Sequence, residues 1–162
     1  MLNIITLGDD ILTKASEPVK DIDTSLEDFV NEMFEALQRG NGIGLAAPQV
    51  GVLKRLFVCH VQRDKPRVFI NPEIIRTSQE EVVYEEGCLS IPGVWADILR
   101  PSSITIQAFD MKGRPFTIDA EGMLARVVQH EFDHLRGILF IDKLPEAKKQ
   151  KLLKLYQKKQ RV

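Results

Sequence analysis

Apolar residues in this chain follow two periods, one helical and one of alternating residues. In residues 25–42 (SLEDFVNEMFEALQRGNG), Leu26, Phe29, Met33, Phe34 and Leu37 recur at the spacing of one helix face. Thr24 or Ser25 can cap that helix, and Gly40 and Gly42 stop it. Residues 55–61 (RLFVCHV), 67–72 (RVFINP) and 80–86 (EEVVYEE) favour strands. Residues 103–110 (SITIQAFD) alternate before a turn at 111–115. Helical spacing returns in residues 117–137, where Met123, Leu124, Val127, Val128 and Leu135 predict a well-buried helix closed by Gly137. Pro145 opens a last helix with Leu152, Leu155 and Tyr156 on one side among lysines. Strands between helices, without regular βαβ alternation, predict a single α+β domain over 1–162. Antiparallel or mixed β-sheets surround a central buried helix, with a basic C-terminal helix over 148–162.

Bulk properties narrow the partners. A chain of 162 residues can bury one real core, and a formal net charge of -1 gives no general case for DNA. No apolar run is long enough for a bilayer, and the first residues lack a signal or transit pattern, so the expected location is the cytoplasm. Two cysteines, Cys59 and Cys88, are too few for a disulfide framework, so each needs its own explanation. Cys59 and His60 sit side by side on a predicted strand with no local partner and read as packing residues.

His130-Glu131-Phe132-Asp133-His134 is an HExxH pattern on the buried helix. Residues at i and i+4 share a helix face, roughly 5–6 Å apart at Cβ, so both imidazoles can converge on one ion with Glu131 beside them. A lone helical histidine is usually a surface or core residue, but two at this spacing with that glutamate favour metal binding. A hydrolytic site needs a third ligand. Cys88 is the candidate, in a glycine- and proline-marked stretch, EEGCLSIPG, although a buried apolar cysteine would also fit there.

Three segments together are more specific. GIGLAAPQ (42–49), EGCLS (86–90) and QHEFDHL (129–135) resemble, in order and spacing, the signature motifs of peptide deformylases. The first could be a turn with a small-residue strip, but that leaves Gln49, a polar amide ending an apolar run, without a task. The resemblance implies that Cys88, His130 and His134 hold one divalent metal, natively ferrous iron, with zinc, nickel or cobalt as substitutes. It implies a bacterial hydrolase that removes the formyl group from N-formylmethionyl nascent polypeptides. Glu131 would act as general base and acid, with Gln49 and the Leu89 N–H donating to the formyl oxygen. Ile43 and Gly44 would border the peptide cleft, Gly44 through its backbone.

Position relative to these motifs makes Tyr84, Glu86, Met123, Arg126 and Val127 candidate contacts for the substrate methionine, with Arg126 carrying its charge to the cleft mouth. Many relatives have a basic residue where this chain has Trp95; Arg100 matches a frequently basic position of structural character. The lysine-rich tail from Lys148 to Arg161 has no acidic residue. It is either a solvated helix face or, as the resemblance implies, an attachment to the ribosome. Two rivals remain: a zinc peptidase, which normally takes a ligand downstream although no histidine follows His134, and a structural metal site, in which Glu131 would have no role.

Overall fold

A computed structural model describes residues 1–160. Its first helix, α1, spans Thr24–Arg39. The cap is Asp23, not Thr24 or Ser25: its carboxylate accepts from the Leu26 N–H at 3.0 Å, and Ser25 donates to the same oxygen. An ionised acceptor at the positive end of the helix dipole is the stronger cap. The strands are β1 (Gly44–Ala46), β2 (Leu56–Cys59), β3 (Arg67–Thr77), β4 (Glu81–Cys88), β5 (Ile91–Pro101), β6 (Ser103–Phe109) and β7 (Pro115–Glu121). Helix α2 spans Gly122–Leu135 and α3 spans Glu146–Gln160.

Strands β1-β2-β3-β6-β7 form one antiparallel sheet, and β4-β5 form a separate hairpin. Alternation in β2 shows how the large sheet is filled on both sides. Phe57 and Cys59 face the cluster with Val127, Val128 and Leu135 of α2, while Leu56 and Val58 face the cluster with Leu26, Val30 and Met33 of α1. A third cluster joins Ile91, Val94 and Ile98 of β5 to Leu139, Phe140 and Tyr156. Helix α2 is buried from Ala125 through Leu135, as its apolar content predicts, and it lies between the sheet and the hairpin.

Three further local expectations need correction. Residues 117–121 are strand, not helix: β7 pairs with β6 at every residue from Pro115↔Phe109 to Glu121↔Ser103. Residues 91–101, left without a strand by the pattern, pair with β4. In α3, Leu155 is exposed rather than packed, while Tyr156 is buried and Leu152 half-buried. The last two residues of the predicted basic tail, 161–162, lie outside the described part. Among the described residues no helix is long and apolar enough to cross a membrane.

Candidate metal centre

Ligand-capable atoms of Cys88, His130 and His134 all lie within 4.8 Å of one another. The two histidines come from one face of α2, and the thiol from the end of β4, where the register shifts between Glu86 and Cys88. Cys88 Sγ is 3.4 Å from His134 Nε2. His130 donates through Nδ1 to Glu86 Oε1 at 2.9 Å, which leaves Nε2 with its lone pair free to ligate. Two buried polar atoms at the centre, His134 Nδ1 and Glu131 Oε1, have no hydrogen-bond partner among the described residues. A soft thiolate, two imidazoles and an adjacent unpaired carboxyl fit a divalent cation with room for one further ligand.

Glu131 lies beneath β1. A Cβ on Gly44 would stand 2.6 Å from Glu131 Oε2 and 2.8 Å from Val127 Cγ1, so only glycine lets this strand run directly over the carboxyl. Burial pushes the Glu131 carboxyl up to about 7, against the lowering charge of His130. Gln49 is fixed in orientation. Its Oε1 accepts the Ala46 N–H at 2.9 Å, so Nε2 must face the centre, where it donates to Ser90 Oγ at 3.1 Å and reaches Cys88 Sγ at 3.5 Å.

The centre opens into a cleft of about 520 Å³. Ile43, Gly44, Gln49, Tyr84, Leu89, Met123 and Val127 line it, as do Glu86 and Arg126. Helix packing also claims some of these: Val127 is buried in the α2 core and Met123 packs against it. Glu86 and Arg126 differ from expectation. Arg126 does not carry its charge to the cleft mouth: its guanidinium is buried and donates to Glu86 Oε2 at 2.7 Å, the Ile98 carbonyl at 2.8 Å and the Val82 carbonyl at 2.7 Å. Glu86 faces inward as well, accepting from Arg100 Nε at 2.6 Å and Nη2 at 2.9 Å besides Arg126 and His130. Burial alone would raise its pKa, but the hydrogen bonds from His130 and Arg100 hold it well below the usual carboxylate range.

With one sheet edge, one hairpin and one helix converging on this centre, relatives become informative. The family model described as polypeptide deformylase matches residues 1–150. The chain belongs to the polypeptide deformylase family. The peptide deformylase of Treponema pallidum (strain Nichols) is 47% identical over 150 residues, covering 93% of this chain and 92% of that protein. That of Rhizobium meliloti (strain 1021) is 43% identical over 159 residues, covering 96% and 91%. The crystal structure of the Ehrlichia chaffeensis peptide deformylase in complex with actinonin superposes with a TM-score of 0.95 at 41% identity, covering 99% of this chain and 98% of that one.

Within this deformylase fold, several supporting residues were not visible as such in the motifs. Arg100 bridges Glu86 and, at 2.8 Å, Asp133, while Asp133 also meets Arg136 and Lys143. Ser90 is fully buried beside Gln49. The sequence carried no signal of these contacts: Ile98 and Leu99 are both apolar, and the alternation that buries Ile98 and Arg100 while exposing Asp97 and Leu99 comes only with the pairing of β5 to β4. Cys59 is a core thiol, as expected; burial first, and the Glu131 charge second, push it up to about 12. His60 does not pack as expected: it is exposed, just beyond β2, with its backbone N–H donating to the Ile43 carbonyl at 2.8 Å.

Proposed function

We propose that this chain removes the formyl group from N-formylmethionyl nascent polypeptides in the bacterial cytoplasm, and that residues 1–162 act as one catalytic domain. The observation that carries the reading is the buried, unpaired Glu131 carboxyl beside the Cys88, His130 and His134 donors, on the floor of an open cleft. A divalent cation in that donor set supplies a Lewis acid that acidifies water and polarises a carbonyl. Glu131 takes the proton from the attacking water and delivers it to the departing amine. Gln49 Nε2, fixed by the Ala46 bond, and the Leu89 N–H donate to the formyl oxygen as charge grows there. Gly44 pairs with the extended peptide through its backbone, while Ile43, Tyr84, Met123 and Val127 contact the methionine. Glu86 and Arg126 border the same pocket but act by orienting His130 and bracing the hairpin.

Replacing Glu131 by glutamine should lower kcat for formate release from a formyl-methionyl peptide by about 10²- to 10⁴-fold while metal content holds. A variant that stays active rejects the mechanism, and wild type that cleaves acetyl-methionyl or internal bonds equally well favours a peptidase. For the ion we choose ferrous iron, on the resemblance to deformylases; the donor set also accepts zinc, nickel or cobalt. Anaerobic purification should yield about one iron per chain, and zinc recovered with equal activity would overturn that choice.

A ribosome-facing role for α3 is part of the proposal. Lys148, Lys151, Lys154 and Lys158 are exposed and border a groove of about 610 Å³ with Leu144, Leu152 and Leu155. Deleting this helix would also remove Tyr156 from the core, so charge reversal is the cleaner probe. Changing the four lysines to glutamate should abolish salt-sensitive ribosome binding yet spare hydrolysis of a short formyl peptide; equal loss of both rejects the idea.

A further inference from the structure

One indole lines the cleft beyond the metal centre. The β4–β5 register pairs Glu86 with Ala96 and then Cys88 with Ile91, so Gly87 alone faces residues 92–95. Trp95 rests on that glycine: a Cβ there would stand 2.5 Å from both Cδ1 and Nε1 of the indole. Trp95 lines the cleft and is still 57% exposed, more than any other large apolar residue of that lining. A second contact comes from the far end of the chain. Lys159 of α3 donates to the Gly93 carbonyl, and its ammonium lies 6.0 Å from the Trp95 ring centroid. Lys159 is outside the 1–150 span matched by the family model.

We propose that Trp95 is a specificity-determining residue of the cleft, positioned over Gly87 by Lys159, and that it selects aromatic or large apolar side chains after the formylated methionine. This rests on the deformylase reading given above. An indole laid on a glycine backbone offers a flat apolar face with few torsions left to freeze, so stacking costs little entropy. A small polar side chain at the same place gains nothing from that face and loses hydration.

The test compares formyl-Met-Phe-Ala with formyl-Met-Ser-Ala. Wild type should favour the aromatic peptide by about 3- to 10-fold in kcat/KM, the difference lying in KM. Trp95→Ala should bring the ratio near one, and Trp95→Phe should restore it. Lys159→Met should lower the ratio about 2- to 3-fold, with Lys159→Arg restoring it. Because the chain has one tryptophan, its emission reports this indole alone. Emission should change on adding formyl-Met-Phe-Ala to the Glu131→Gln variant, and should differ between Lys159→Met and wild type, with Lys159→Arg matching wild type. Formate release without discrimination, or discrimination that survives Trp95→Ala, overturns the proposal. A ratio and emission unaltered in Lys159→Met overturn the part given to Lys159. Selective emission changes without any formate release would instead sink the deformylase reading and leave only the selection of side chains on binding to Trp95.

Discussion

Arg67 grips Asp64 through Nε and Nη2 at 2.7 and 3.1 Å, and Arg100 grips Glu86 through the same two nitrogens at 2.6 and 2.9 Å. The forks are alike, but their surroundings are not. Asp64 and Arg67 lie between β2 and the start of β3 with 25% and 22% of their side chains exposed; Glu86 and Arg100 are 4% and 3% exposed beneath α2. The Asp64 carbonyl oxygen also meets His60 Nε2 at 3.1 Å, whereas the Glu86 carboxylate accepts from Arg126 and from His130 of the candidate metal centre. An exposed pair of this geometry closes a turn and is worth at most about 1 kcal/mol, because water competes for both ions. A buried pair offers little net stability over an apolar replacement, yet removing one member leaves the other charge stranded. The same bond therefore serves as a local clasp in one place and holds the carboxylate that orients His130 of the candidate metal centre in the other.

The sharpest way to break the comparison is Glu86→Gln. It keeps the shape and one acceptor oxygen, but it removes the only carboxylate facing Arg126, leaves Arg100 with Asp133 alone, and sets an amide NH2 among the donors of Arg100, Arg126 and His130. Stability should fall by about 3–5 kcal/mol in urea unfolding. Metal affinity should fall by about 10- to 100-fold in a chelator titration. Neither loss should recover in 1 M NaCl, since a sealed pair is screened little. A loss below 1 kcal/mol with normal metal affinity would make Glu86 no different from Asp64.

A smaller effect is expected from Arg126→Met. Glu86 keeps Arg100 and His130, while the buried carbonyl of Ile98 and the part-buried one of Val82 lose their side-chain donor. That should cost about 1–3 kcal/mol and leave kcat nearly intact. A tenfold rise in KM at unchanged stability would return Arg126 to the substrate, as its position relative to the motifs suggests.

How much of this could be read from the chain depends on sequence distance. The two histidines and Glu131 were legible because i and i+4 fall on one helix face whatever the fold does around them. Gln49 and Cys88 were legible only through their motifs, since neither is local to the helix. The charge network was not legible: Glu86 meets His130 across 44 residues, and no spacing rule links a strand end to a helix. Trp95 stood out as a departure, but its seat over Gly87 depends on a register irregularity that the pattern does not contain. Strand β7 was missed for a different reason. Phe116, Ile118 and Ala120 do alternate, but the strong helical period starting at Met123 drew Thr117–Glu121 into the same element, and pairing with β6 outweighed it.

The smallest effect should come from Asp64→Asn, and its pH dependence gives the comparison its control. The hydrogen bond from Arg67 lowers the Asp64 pKa below its ordinary value. A carboxyl with a depressed folded pKa adds stability above its unfolded value, about 3.9, and that stability is lost as pH falls through the folded pKa. Wild type should therefore exceed Asp64→Asn by at most about 1 kcal/mol at pH 6, with the gap shrinking as the solution is taken below about pH 4. High salt should shrink it too, because this pair is open to counterions. The activity of Asp64→Asn should match that of wild type at every point in the series. If Asp64→Asn instead cost as much as Glu86→Gln and resisted salt, burial would not be what separates the two forks, and the role given to Glu86 beneath α2 would need another cause.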